Sequence, residues 1–289
     1  MFGQFIINGL ITGVLYSLLA IGFALVYNTT KIFHVAASAV YVFAVYAFWF
    51  ISNRLGLPIW LGISLSLLLT MLLSLMIEVV VYRPLTSRKS SLNVAMISSI
   101  GVMTVIVNLL AMVFGNDTKV ISEVNPTVYT FGDIVITVPQ MLQAVVGSIA
   151  IIVFLVFLSR SSWGIRLRAV SCDEVLYSTL GYSVNASRLI VFVLSGAFIA
   201  LAGCLTVYDV GLDPHMGMNV LINAMVAMII GGVGRFGTCV AGGMILGVLQ
   251  SLVVFQFSSN WQNAITFLVL LIFLFVRPQG LAGYKQRTV

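Results

Sequence analysis

The sequence predicts an all-α, polytopic bundle of membrane-crossing helices with about nine spans, and three observations carry that prediction. Of 289 residues, 61 % are hydrophobic and only 8 % charged, whereas a soluble domain carries about 25 % charged residues. The mean hydropathy is +1.14. The few charges also divide the chain into apolar stretches of the length a bilayer requires, about 20 residues per helix. A soluble enzyme, a disordered regulator and a nucleic-acid binder are excluded on these grounds. Cys172, Cys204 and Cys239 are far apart, odd in number and without metal-ligand spacing, so neither a disulfide framework nor a metal site is expected.

A charge at the centre of a spanning helix costs roughly 2.5–3.5 kcal/mol, so stretches free of Asp, Glu, Lys and Arg measure the spans. They are 1–30, 32–53, 55–77, 90–116, 134–159, 189–208, 214–234 and 236–276. The first lacks the basic start of a cleaved signal peptide and reads as a retained span. The last is long enough for two crossings, with a turn near Ser258–Asn260. Nine spans follow, at 4–27, 34–52, 59–81, 92–114, 139–158, 189–208, 217–233, 238–257 and 261–276. Segments 34–52 and 217–237 are short and rich in small residues. They read as broken or re-entrant helices, tolerated only where protein or a water-filled path satisfies the backbone. Eight to ten crossings are compatible with this pattern.

Alternating the sides gives an independent test. With the N-terminus outside, 12 of the 14 basic residues fall on inner segments: Lys31, Arg83, Arg88, Lys89, Arg160, Arg166, Arg168, Arg188, Arg235, Arg277, Lys285 and Arg287. Only Arg54 and Lys119 remain outside, with five acids, Asp117, Glu123, Asp133, Asp209 and Asp213. Lys and Arg near span ends collect on the cytoplasmic side. The C-terminus is therefore expected inside, and the formal charge of +6 is a topology signal that needs no nucleic acid. Trp49, Trp60 and Trp261 fall near outer ends, where an aromatic belt belongs.

Two loops exceed what a connection needs. The inner one, 159–188, opens with Arg160, Trp163, Arg166 and Arg168 and continues from Ala169 to Gly181 as a short helix. The acids Asp173 and Glu174 come early, Val175, Leu176 and Leu180 recur at helical spacing, and Gly181 is the stop. Such a helix either lies flat on the bilayer or fits a groove on a soluble partner. The outer loop, 115–139, holds Pro126, Pro139 and a β-branched run at Ile134–Val138. It reads as a small hairpin or as a solvated linker.

Small residues mark close helix packing: Gly9 and Gly13, and again Gly243 and Gly247, have the four-residue spacing that lets helices approach. Gly231-Gly232-Val233-Gly234-Arg235-Phe236-Gly237 cannot stay regular helix in lipid and must pack against protein at an inner end. It is no phosphate cradle. The sequence has no Gly-x4-Gly-Lys-Ser/Thr, so ATP binding through a P-loop is excluded, and no catalytic residue is expected. Glu78 lies near Arg83 and reads as half of an interfacial ion pair. His34 and His215 stand at span ends, and no Asp/Glu/His chain that would relay protons is present. The neutral polar residues at depth are Asn8, Ser17, Ser38, Asn108, Asn223 and Gln250, which either bond helix to helix or line a path.

An ordered set of segments resembles the membrane subunits of branched-chain amino acid ABC importers, a permease family that also serves urea and short amides. Asn8-Gly9 and Ile21-Gly22-Phe23-Ala24-Leu25-Val26-Tyr27 are similar to the family's first span. Glu78-Val79-Val80-Val81-Tyr82-Arg83-Pro84-Leu85 resembles its E-x3-YRPL segment, and Arg168-Ala169 with Leu180-Gly181 its cytoplasmic coupling loop. Ser195-Gly196-Ala197, Leu201-Ala202-Gly203, Gly231-Gly232-Val233-Gly234, Gly242-Gly243, Gly247 and Arg277-Pro278-Gln279-Gly280-Leu281 complete the series. One departure stands out. Such permeases usually show Asn-Phe-Ala-His-Gly-Glu entering the second span, whereas this chain has His34-Val35-Ala36-Ala37-Ser38-Ala39, so Ala37 and Ala39 replace the usual His and Glu. A milder one is Gly237-Thr238 where the family tends to Pro-Gly.

The resemblance implies a single permease domain over 1–289 that forms half of a path for small amino acids, branched-chain or related, or else for urea or short-chain amides. It implies partners: two cytoplasmic ATPases that bind the ATP, a second membrane subunit (a related chain in preference to a second copy) and an external solute-binding protein. It places the protein in a bacterial or archaeal inner membrane with no cofactor of its own. Arg168, Ala169, Asp173, Glu174, Leu176, Leu180 and Gly181 would couple to the ATPases, and Asn8, Gly22, His34, Ser38, Asn223, Gly231 and Gly232 are candidate path positions. A self-sufficient secondary transporter or channel is the competing class, since glycine-interrupted helices suit it too; the missing buried carboxylates argue against it. A membrane scaffold is the third.

Overall fold

A computed structural model of the chain describes residues 2–120, 128–131, 134–277 and 279–281. Glu123, Pro126, Asp133, Pro278, Lys285 and Arg287, used above, lie outside the described residues. The fold is all-helical apart from one small hairpin. Helix α1 runs Phe2–Thr30, and α2, Ala37–Trp49, continues into a π-helical turn, Phe50–Arg54. Helix α3, Ile59–Ile77, passes through a second π turn, Glu78–Tyr82, into α4, Arg83–Ser87. Then come α5 (Leu92–Phe114), the antiparallel strands β1 (Val128–Phe131) and β2 (Ile134–Thr137), and α6 (Val138–Arg160). Helices α7 (Ser162–Cys172) and α8 (Glu174–Thr179) precede α9 (Val184–Val210), α10 (Gly217–Gly231), α11 (Phe236–Gln256) and α12 (Gln262–Val276).

Seven helical segments are long and apolar enough to cross a membrane: Phe2–Thr30, Ile59–Ser87, Leu92–Phe114, Val138–Arg160, Val184–Val210, Phe236–Gln256 and Ser259–Val276. The protein is thus a multi-pass membrane protein. The two short apolar helices, α2 and α10, fall where the sequence predicts broken ones. A helix that is apolar all round must be buried all round or face lipid, and this bundle uses both solutions. In α1, 83 % of the most apolar window is buried inside the chain, whereas in α5 and α12 the figure is 11 %. Helices α1, α2, α9 and α10 form the interior; α3, α5, α6 and α12 form the shell, and α11 lies along α1 with about a third of its apolar window buried.

The tightest seam joins α1 to α11. A Cβ added at Gly247 would overlap the backbone of Gly13, and one at Gly243 would lie 2.5 Å from the backbone N of Ser17. Ser17 Oγ donates to Gly13 O (2.7 Å) on its own helix and to Val240 O (2.9 Å) across the seam. Ser251 Oγ donates to Phe5 O at 2.5 Å. The paired glycines of the sequence are thus each other's partners.

Two contacts sort the loops by side. Gln4, in the first turn of α1, exchanges two hydrogen bonds of 2.7 Å with the backbone of Val135 in the hairpin. At the other end of α1, Lys31 Nζ donates to Ser171 O at 3.3 Å, at the end of α7. Hairpin and α7–α8 element therefore sit at opposite ends of the bundle.

Candidate functional site: a cavity between two half-length helices

Helices α2 and α10 begin in the middle of the bundle. Ser38, in the first turn of α2, shares a small apolar void with Leu19 and Phe23 of α1, Ile199 near the midpoint of α9, and Val220 and Leu221 of α10. A Cβ added at Gly217, the first residue of α10, would lie 2.5 Å from Ser38 O. The N-terminal ends of two half-length helices therefore meet at mid-depth. Beside their meeting point lies a cavity of about 190 Å³ lined by Ser38, Met103, Thr104, Val107 and Asn108 of α2 and α5, and by Pro214, His215, Gly217 and Met218. No acid or lysine lines it. A volume well below that of a drug-sized pocket suits a small solute.

The start of α2 is held by a buried polar relay. Residues 31–36 are non-helical and lead from the end of α1 back into the bundle. His34 Nδ1 lies 2.8 Å from Tyr82 OH, Tyr82 OH donates to Ser99 Oγ (2.8 Å), and Ala36 N donates to the same oxygen (2.8 Å). The relay ties the α1–α2 link to the π turn of α3 and to α5. Ala37 and Ala39 are both buried against neighbouring helices.

The same π turn carries Glu78, and here the expectation of a Glu78–Arg83 pair is corrected. Glu78 Oε1 accepts from Arg188 Nε at 2.7 Å and Glu78 Oε2 from Arg188 Nη2 at 3.4 Å, while Arg188 Nη1 donates to Thr86 Oγ1 at 3.0 Å. Both side chains of the pair are more than nine-tenths buried, whereas Arg83 is exposed. The wide π turn keeps Glu78 and Tyr82 facing inward together, and the first turn of α9 brings Arg188 to them.

Of the seven candidate path positions, Ser38 lines this cavity. Asn8 accepts from Gln4 within the first turns of α1 (3.1 Å). Gly22 packs on Ile199, and its carbonyl accepts from Ser195 Oγ at 2.7 Å. His34 belongs to the relay. Asn223 joins Tyr16, Gln250 and Thr266 in a closed network of bonds from 2.5 to 3.3 Å. Gly231 packs on Thr238, and Gly232, with φ +104°, ends α10 against Gly280. The other lining residues, Met103, Thr104, Val107, Pro214 and Met218, carry no signal that spacing alone could expose. Asn108 and His215 are visible in sequence only as polar residues near a membrane. Trp49, expected in an aromatic belt, is instead buried beneath Lys119, whose Nζ sits 4.9 Å from the ring centroid.

The 159–188 loop forms two helices, where the sequence predicts one over Ala169–Gly181. Asp173 stands between them in extended conformation and accepts from Leu176 N at 2.9 Å. A carboxylate that caps a helix start cannot also continue the preceding helix. Arg168 and Ala169 lie on α7, Glu174 and Leu176 on α8, and Gly181, with φ +85°, follows it. Tyr177 anchors α8 through a 2.9 Å hydrogen bond to Ser187. Val175, Leu176 and Leu180 are 73 %, 58 % and 67 % exposed, an apolar ridge turned away from the bundle.

The comparisons with known proteins agree with this architecture. Residues 5–274 match the family model for the branched-chain amino acid transport system permease component. The chain is 28 % identical to the high-affinity branched-chain amino acid transport system permease protein BraD of Pseudomonas aeruginosa, covering 98 % of this chain and 96 % of that one. It is 27 % identical to the permease LivH of Escherichia coli over 99 % and 96 %. A probable LivH of Methanocaldococcus jannaschii is 23 % identical over 92 % and 88 %. Among solved structures, PsaBC from Streptococcus pneumoniae in complex with Fab shares the fold, with TM-score 0.53 at 15 % identity over 94 % and 91 %. A family match that spans nearly every helix leads to one conclusion: the chain belongs to the branched-chain amino acid transport system permease component family.

Proposed function

We propose that this permease forms half of the translocation path of an ATP-binding-cassette importer for small amino acids, branched-chain or related, and that the α2–α5–α10 cavity is a station on that path. The carrying observation is the meeting of two short helices at a mostly apolar cavity that no acid, lysine or arginine lines. Helix N-terminal ends carry partial positive charge, and broken helices in transporters direct such ends at anionic solute groups. A carboxylate suits that end, and the cavity's methionine and valine groups suit an aliphatic side chain. Urea or a short amide is the second reading, favoured by Ala37 and Ala39, which leave the start of α2 without the family's usual His and Glu.

In this reading the chain crosses the inner membrane of a bacterium or archaeon nine times, counting α2 and α10, with the hairpin outside and the C-terminus inside. The 12:2 division of basic residues supports that orientation. The 159–188 element is the coupling loop, and the exposed ridge of Val175, Leu176 and Leu180 supports docking in a groove of a cytoplasmic ATPase. The 115–139 segment is the external loop, facing a solute-binding protein. A second membrane subunit, a related chain in preference to a second copy, completes the path. The chain needs no cofactor of its own.

The test is Asn108→Trp in the assembled importer. Filling the cavity is expected to lower uptake more than tenfold while ATP hydrolysis and assembly persist. Wild-type uptake by this variant overturns the assignment of the cavity. Gradient-driven flux through the purified chain alone overturns the importer reading in favour of a self-sufficient transporter.

A further inference from the structure

Both half-length helices are tethered at one corner, residues 28–31, and the α7–α8 element is tethered there as well. Lys31 has φ +58°, a left-handed conformation uncommon outside glycine. Its backbone N donates to Tyr27 O at 2.9 Å, a left-handed cap on the end of α1, and its ammonium reaches two helix ends. Nζ donates to Asn28 O at the end of α1 (2.8 Å) and to Ser171 O at the end of α7 (3.3 Å). Carbonyls at helix C-termini are unpaired and carry partial negative charge, so a single ammonium serves both ends. Burial pushes the Lys31 amine below its ordinary pKa, and the neighbouring Cys172 and Glu174 oppose that shift.

Three residues earlier, Asn28 is fully buried. Its Oδ1 accepts from Gly234 N at 3.1 Å, in the turn that ends α10. Its Nδ2 has no partner among the described residues. A buried amide proton without an acceptor is costly, and such a group calls for a specific reason. An acceptor supplied in a second arrangement of this corner is such a reason. From Lys31 the chain runs as residues 31–36 directly into α2, whose first turn lines the cavity. From Gly234 the route is α10 itself, whose other end lines the same cavity.

We infer that Asn28 and Lys31 form the joint through which movement of the α7–α8 element is divided onto α2 and α10, so that both walls of the cavity shift together. The inference rests on the coupling role proposed for that element. Lys31 and Asn28 are positioning residues: they touch neither the cavity nor the exposed ridge of α8. Coupling of this kind is carried by packed elements with two discrete arrangements, and here three hydrogen bonds of Lys31 and Asn28 gather the ends of α1, α7 and α10, with α2 following through the chain.

The experiment uses the complete importer, with its ATPases, second membrane subunit and binding protein, in proteoliposomes, and reads solute taken up per ATP hydrolysed. Lys31→Met keeps the aliphatic stem and deletes the ammonium. It is expected to lower that ratio at least fivefold with ATP hydrolysis within twofold of wild type, and Lys31→Arg to restore the ratio. Should Lys31→Met fail to assemble, Asn28→Ser is read the same way, with a smaller fall of about threefold expected. A wild-type ratio in either variant that assembles overturns the joint. Leu176→Asp, on the exposed ridge, separates the two readings. If it lowers the ratio while Lys31→Met and Asn28→Ser do not, the joint alone is wrong. If none of the three changes the ratio, the coupling role falls with it.

Discussion

Two seams run through the interior, and both are built on small residues. Between α1 and α11, glycines face glycines at a four-residue spacing, so each ridge finds a groove and the backbones touch. Between α2, α5 and α10, Gly217 lets α10 approach Ser38, but the third wall is Met103, Thr104, Val107 and Asn108, and the pieces do not interdigitate. One seam is closed; the other keeps a cavity of about 190 Å³. In lipid no hydrophobic force drives helices together, so van der Waals fit and interhelical hydrogen bonds decide where they close. Small residues on both sides make a joint, and small residues on one side leave room for a solute.

The most damaging change to this contrast is Gly247→Leu. Even its Cβ would overlap the Gly13 backbone, and overpacking of a close-fitting core costs about 1–3 kcal/mol or more. The expected outcome is loss of folded protein, or a large drop in the thermal midpoint in detergent. The cavity-filling Asn108→Trp, on an exposed position, is expected to shift stability by no more than about 0.5 kcal/mol. Its effect falls on uptake. Equal destabilisation by the two variants would erase the distinction between the seams. Smaller again is Gln250→Leu, which breaks the network of Tyr16, Asn223 and Thr266 behind α10. Interhelical hydrogen bonds in membranes average about 0.6 kcal/mol and reach about 1.7. A fall in the thermal midpoint with near-normal uptake is expected, which would mark that network as structural.

Much of the interior was legible because it rests on local pattern. The apolar helical segments and the glycine pairs at 9/13 and 243/247 are properties of composition and spacing. The cavity was legible only in part. Ser38 was visible as a polar residue entering a short helix, while Met103, Val107 and Met218 resemble any lipid-facing residue until α5 is seen beside α10. Glu78 shows the same limit. Its sequence neighbour Arg83 is exposed, and the partner it uses, Arg188, lies 110 residues away. Asp173 shows a limit of another kind. Its capping of α8 competes with continuation of α7, and periodicity does not say which prevails.

Composition and spacing alone place this chain in lipid, make its helices apolar on every side, show which loops are basic, and mark two of its apolar segments as short and rich in small residues. Those follow from solvation, because charge and open backbone cannot be left in hydrocarbon at any position of the fold. Three-dimensional packing alone settles which helices are shielded from lipid and which face it, sets the starts of the two short helices against each other, and brings Lys31 and Asn28 to the link into α2 and the turn after α10. Contact between residues distant in sequence depends on how whole helices cross, and a uniformly apolar helix carries no stripe from which that crossing could be read.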